Sequence, residues 1–434
     1  MYRFASAQQL PAHPAEMSVA VFALRAFLFT CLLMVFGVRL IFAAEPLLLI
    51  GQSQVGASFV GATGDVTLQF QVAGQPRHVS EQDLVRWSTA PTNLQQSELL
   101  LADGSRLALA AAWAGKQPWQ IVGDSVSITT RLLGEVDLQR NQVRAIVLHA
   151  PAGLQQRTQF LDQLRSDNKG SDELRLTNGD QLMGQLVGLS KNNDGQRQIN
   201  FLLESASQSL PVPVDRIAAI VLGKGENHSQ LPGKLVVGLR DGSLLMAESL
   251  SADAGQLRLR LACNVEVTGG NSRDVTYLRS LSPTCIYLSD LVTIDYQHVP
   301  YLDIPWAYRR DRNVLKGPLQ AAGGCYNKGL GMHTASRLTY RLDTEEIAGR
   351  FRRFVAAIAI DDVAAQRGSV IFRVYLERDG NWQQAYTSAV VRGGDRPLPV
   401  TVELDGARQL ALATDFADRG DQQDYANWLE ARLE

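Results

Sequence analysis

The residues of this chain whose types and spacing could do chemistry gather in its last third. Trp382 stands just after Asp379-Gly380, among the amides of Asn381, Gln383 and Gln384. An indole face in a polar loop can stack on the C–H face of a sugar ring while nearby amides read its hydroxyls. The alternative is a Trp folded back on the edge of a sheet. His333 follows Gly329 and Gly331, so its backbone allows close approach. Its ring either reads a hydroxyl or satisfies neighbouring backbone groups. Asp361 and Asp362 are adjacent. Neighbours in an extended strand point to opposite faces, whereas two carboxylates flanking one glycosidic bond face each other about 5–10 Å apart. Capping a strand end, or giving one oxygen to an ion, is the expected role of this pair. Asp415, Asp418, Asp421 and Asp424 recur at every third position, which is not EF-hand spacing. A solvated acidic loop is the plain reading of that run. Trp306 and Tyr308, in Ile304–Arg312, read as a surface docking on the rest of the chain. Trp428 reads as core.

The elements that must position these residues come from a chain of 434 residues, 45% apolar and 20% charged. This is ordinary globular composition, and its length suits several domains. The formal net charge is −2 and no basic stripe occurs, so nucleic-acid binding is not expected. The sequence has no phosphate-cradling Gly loop, no nucleophile elbow and no His pair at metal-ligand spacing. Residues 26–38 carry no charge, follow Arg25 and precede Ala43-Ala44. The layout of residues 1–44 is that of a secretory signal, or of an N-terminal membrane anchor if Arg25 and Arg39 snorkel. Either places the rest of the chain outside the cytoplasm: secreted, periplasmic or anchored. Cys263, Cys285 and Cys325 then allow a Cys263–Cys285 disulfide, against the plainer reading of three buried small residues.

Residues 45–150 and 171–289 repeat a theme. Residues 97–107, 172–182 and 234–244 each place Asp-Gly or Asn-Gly between apolar residues, and a two-residue type I′ hairpin is expected at each. Residues 143–148 and 216–222 share a second element, a closing strand. Leu257–Leu261 alternates as a half-buried strand. Residues 151–170 read as a helical connector. The array is degenerate tandem small β units. His78, His149 and His228 read as surface histidines, and Trp87, Trp113 and Trp119 as core or contacts between units.

Residues 290–434 change pattern. Alternation at 338–342, 354–360, 400–404 and from Leu410, with an apolar run at 370–376, predicts a β-sandwich or jelly roll. Gly329-Leu330-Gly331-Met332-His333 with Ser336–Tyr340, Ile360-Asp361-Asp362, Gly368–Tyr375 and Asp424-Tyr425-Ala426-Asn427-Trp428 fall in an order and spacing that resembles the NPCBM domain. That family is a carbohydrate-binding module first noted beside glycoside hydrolase family 98. The resemblance implies a galactose-binding-like jelly roll, and it makes one structural Ca²⁺ at Asp415, Asp421 and Asp424 plausible. This chain departs from the family's terminal Asp-His-Ala-Asp-Trp pattern at Tyr425 and Asn427.

The sequence therefore reads as mainly β: tandem β units followed by a galactose-binding-like jelly roll. The expected function is glycan or polysaccharide binding without catalysis, with Trp382, His333, Asn381 and Gln383 at the site. No cofactor beyond that Ca²⁺ is expected, and the membrane is met only through the N-terminal segment. The rival is an extracytoplasmic scaffold whose β array holds a protein partner and whose jelly roll holds no sugar. A hydrolase site between array and jelly roll is a third reading, which needs a facing carboxylate pair.

Overall fold

The computed structural model describes residues 44–434, except 64–66, 92–96, 112–116, 167–169, 224–232, 254, 302 and 419. The N-terminal segment, Trp113 and His228 lie outside the described residues. Glu45–Glu434 form one compact body of β units and a jelly roll. Among the described residues no helix is long and apolar enough to cross a membrane.

The array holds four β units, one more than the turn motifs mark. In each, the first strand opens a hairpin, and a closing strand returns to pair with it. Glu98–Leu101 pairs with Arg106–Ala108 and with Val143–Val147. Asp172–Leu176 pairs with Gln181–Lys191 and with Ile217–Val221. Leu235–Leu239 pairs with Leu244–Asp253 and with Val275–Ser280. The unmarked unit comes first, where Glu45–Leu49 pairs with Val55–Thr63 and with Leu84–Trp87. Its hairpin turns at Gly51 without an Asx-Gly pair, so the motif does not report it.

The turns differ from the expected type I′. Only their glycines have positive φ, at +90°, +95° and +91° for Gly104, Gly179 and Gly242. Each of those amides donates to the carbonyl three residues back, and the side chain of Asp103, Asn178 or Asp241 accepts from the backbone amide two residues on. This is a type I turn closed by a left-handed glycine, which also matches the twist of the flanking strands.

Units join through equivalent parts. The closing strands of the second and third units pair, as do those of the first and fourth. The second and fourth also exchange hydrogen bonds. Ala108 N donates to Ser243 Oγ (3.0 Å) and Met246 N to Ser105 Oγ (2.8 Å). Each donor sits three residues after the serine of its own unit, so the two contacts are related by a local twofold. Leu154–Ser166 is helical. Its Leu161 and Leu164 cover Leu100, Ala145, Val147, Ala219 and Val221. Trp87 and Trp119 are core, His78 and His149 are exposed, and Cys263, Cys285 and Cys325 are buried free thiols, so Cys263 and Cys285 are not bridged.

The jelly roll packs two antiparallel sheets. One runs Arg309–Arg310, Gly329–His333, Tyr425–Leu433, Arg353–Ile360, Leu398–Glu403. The other runs Thr293–His298, Ser336–Arg341, Gln409–Phe416, Ser369–Arg378, Asn381–Thr387. Leu330, Met332, Tyr340, Phe354, Phe372 and Trp428 fill the space between them. Pairing begins at Ile286–Tyr287, before residue 290. The strand from Leu410 is not the last. Tyr425–Leu433 follows it and is central and buried. Asn427, Glu430 and Arg432 interrupt its apolar pattern, which hides it from a reading of alternation.

The jelly roll is seated on the array by polar contacts. Arg86 Nε lies 2.7 Å from Glu430 Oε1, with both side chains 7% exposed. Arg312 Nη2 lies 2.7 Å from Asp162 Oδ2 on the helix. Asn327 Nδ2 donates to the Tyr277 hydroxyl at 3.1 Å, and Ala90 bridges Cys325. Docking thus runs through residues 312–327 and Glu430. Trp306 and Tyr308, expected to dock there, instead pack within the jelly roll.

Candidate functional site at one end of the jelly roll

The first sheet ends at His333, where Gly331 permits a tight crossing. A Cβ there would stand 2.4 Å from the Arg312 carbonyl oxygen. His333 is buried, and its Nδ1–H donates to the Thr334 carbonyl at 2.9 Å. Burial pushes its ring below the ordinary imidazole range, so the neutral form prevails at pH 7. With Nδ1 as donor, Nε2 carries the free lone pair. Among the described residues it has no hydrogen-bond partner.

Aromatic rings surround that acceptor. The Trp306 indole stacks on His333 at 4.8 Å with a 5° interplanar angle. Tyr425 stands 6.0 Å from His333 and 6.2 Å from Trp306. His298 meets His333 edge-on at 6.1 Å. The Trp306 loop is fixed at its backbone. Its N–H donates to His298 Nδ1 (3.2 Å), and its carbonyl accepts from the Tyr296 hydroxyl (2.6 Å). His298 Nε2 then donates to the Thr334 carbonyl at 3.1 Å. Trp306 and Tyr425 are half-buried, and Tyr301 beside Phe416 is 67% exposed. The arrangement offers ring faces beside one hydrogen-bond acceptor, which suits a small polyol with C–H and O–H faces.

The structure does not bring Trp382 to this place. Thr414 Oγ1 donates to the His333 carbonyl, and Thr414 pairs with Phe372. Trp382 pairs with Glu377, five residues further along the same strand, a separation of about 16 Å at ~3.3 Å per residue. Trp382 is also not in a loop. It opens the edge strand Asn381–Thr387, on the outer face of the sandwich opposite Glu377, and is 41% exposed. Strand alternation puts Gln384 on its face and Asn381 and Gln383 on the other. Sequence adjacency suggested one frame of amides, but the pleat divides it.

The acidic residues are already engaged. Asp361 is fully buried and accepts from Asn313 Nδ2 (3.2 Å), Gln320 N (3.0 Å), Val363 N (3.1 Å) and Asn427 Nδ2 (2.7 Å). Asp362 accepts from Ala322 N and Gly323 N. Asp361 caps the short 3-10 turn Asp362–Ala364 in place of a strand end, and Asp362 ties the Ala322-Gly323 turn to it. Asp415 pairs with Arg373, and Asp424 accepts from Ser369 N and the Thr334 hydroxyl, both at 2.8 Å. Among the described residues no group of three or more His, Cys, Asp or Glu is placed to hold a metal. Asp415, Asp421 and Asp424 thus do not form the Ca²⁺ cluster expected of them, because two of the three serve other partners. The sequence reading does not place His298, Trp306 and Tyr425 together at a site because they come from three separate elements, and no spacing marks their convergence.

Comparison with known proteins bears on this domain. Residues 285–434 match the NPCBM/NEW2 domain family. A protein of Renibacterium salmoninarum named "Putative endo-alpha-N-acetylgalactosaminidase" is 34% identical over 116 residues, which are 27% of this chain and 7% of that protein. Among solved structures, CBM51 from Clostridium perfringens GH95 in complex with methyl-galactose is 22% identical. That match covers 35% of this chain and 99% of that one, with a TM-score of 0.30. The tandem CBM51 modules of the family 98 glycoside hydrolase from Streptococcus pneumoniae SP3-BS71 are 12% identical, covering 62% of this chain and 90% of that one, with a TM-score of 0.29. The part of the chain that matches the NPCBM/NEW2 domain family, residues 285–434, is thus the two-sheet jelly roll.

Proposed function

We propose that this chain binds glycans, without catalysis, through the end of its jelly roll where Trp306, Tyr425 and His333 meet. The observation that carries this reading is the half-buried Trp306 indole held flat against His333, whose Nε2 remains free to accept a hydroxyl proton. Family membership of residues 285–434 supports it. The local match to a protein named "Putative endo-alpha-N-acetylgalactosaminidase" also supports it. The N-terminal segment supports action outside the cytoplasm, secreted or anchored. Asp361 and Asp362 are occupied as caps, which favours binding over hydrolysis.

Trp382 remains a second platform of the same function, on the outer sheet face with Gln384 and Tyr375. The test compares Trp306→Ala and Trp382→Ala full-length proteins, each verified folded, against the same immobilised glycans. Loss confined to Trp306→Ala supports the loop-end site. Loss confined to Trp382→Ala moves the site to the sheet face. Retention of all binding in both variants refutes both placements.

A further inference from the structure

A cavity of about 380 Å³ lies where the helix, the β array and the jelly roll meet. Arg106, Arg157, Arg165, Arg279 and Arg312 line it, with Asp162 as the acidic side chain among them. Four of these guanidiniums share two carboxylates. Arg157 and Arg106 lie 2.7 and 3.9 Å from Glu98. Arg312 and Arg165 lie 2.7 and 3.3 Å from Asp162.

The fifth, Arg279, is 9% exposed and, among the described residues, forms no ion pair with a carboxylate. Among the described residues its one hydrogen bond is a long one, from Nη1 to the Ser280 carbonyl at 3.4 Å, and its buried Nε has no partner. Across the paired closing strands it stands directly opposite Arg86, also buried. Glu430 lies against Arg86, and Glu430 and Asp311 act on Arg279 from beyond ion-pair contact. Like charges directly opposite in a sheet are unfavourable, and a buried guanidinium whose donors lack an acceptor is costly. An anion in the cavity relieves both. Arginine forks suit the paired oxygens of carboxylates and sulfates. Tyr326, Leu154 and Met246 on the same walls give the ligand's carbon skeleton an apolar surface.

We infer that this cavity binds a small organic anion, a carboxylate or sulfate ester on a carrier about the size of one sugar ring. The site is separate from the Trp306 end and does not depend on glycan binding there. The test is calorimetric titration of the full chain with glucuronate and with glucose, and of the glucuronate complex with inorganic sulfate. The expected result is saturable glucuronate binding, displaced by sulfate and weakened at least tenfold in Arg279→Met. Arg106→Gln, on the accessible side of the cavity, is expected to weaken it several-fold and serves if Arg279→Met does not fold. The inference is overturned if folded protein binds no glucuronate, if glucose binds as tightly, if sulfate does not compete, or if both folded variants bind like the parent.

Discussion

Replacing Glu430 by Gln tests whether the jelly roll and the array are one cooperative structure. The carboxylate lies 2.7 Å from Arg86 Nε, and both side chains are 7% exposed. Removing one partner of such a buried pair leaves the other charge stranded, at a cost of about 3–5 kcal/mol. The fall in melting temperature that results depends on how much of the chain unfolds together. At ~2.1 cal/mol/K of unfolding entropy per residue, a 4 kcal/mol loss lowers Tm by about 5 °C if Glu45–Glu434 unfold as one body. If the 285–434 domain melts alone, the same loss lowers its transition by about 13 °C and leaves a second transition unmoved. Differential scanning calorimetry separates the two cases. The extent of polar docking leads us to expect a single transition shifted by the smaller amount. Arg86→Met with Glu430→Met should recover most of the loss, since apolar replacement of a whole buried pair is often neutral or better. A Tm within 1 °C of the parent for Glu430→Gln, a shift worth roughly 1 kcal/mol for the whole body, would refute the reasoning.

Three further outcomes follow from the hydrogen-bond geometry. Ser105→Ala and Ser243→Ala remove equivalent contacts of the local twofold, so each should cost about 1–2 kcal/mol in chemical denaturation, and a difference larger than that range would deny the equivalence. Asp361→Asn sets an amide against four donors and should cost about 3 kcal/mol or more; an unchanged urea midpoint would show that those loops do not depend on it. Burial pushes the Asp424 carboxyl up to about 6 from an ordinary 3.8, so between those values the folded chain holds a proton that the unfolded chain releases. Asp424 therefore makes stability fall as pH rises through that window, and Asp424→Asn should flatten the slope in denaturation curves taken from about pH 4 to pH 6. An identical slope in the variant would remove Asp424 as its source.

Much of the fold was legible because local chemistry dictated it. The Asx-Gly pairs at 103, 178 and 241 marked three hairpins, since few other residues close such turns. Alternation over 354–360 and 400–404 marked two strands of one sheet. What stayed hidden depended on partners distant in sequence. Tyr425–Leu433 is a central strand whose Glu430 is held by Arg86 from the array and whose Asn427 is held by Asp361. No local pattern announces a polar residue satisfied by another element. The candidate site was half legible. His333 was marked by its glycines, but Trp306 reaches it only because the 299–306 loop folds back onto His298 and Tyr296. Trp382 drew attention by its amide neighbours, and strand geometry, which alternates faces, then separated it from two of them.

The central claim is that this chain recognises glycans, and the most direct measurement is a glycan-array screen of the full-length protein, run with Ca²⁺ and again with chelator. The expected result is selective binding that survives chelation, because Asp415 and Asp424 are held by Arg373, Ser369 and Thr334. Folded protein that binds no glycan under either condition would contradict the claim and leave the array-and-jelly-roll body as a protein-binding scaffold.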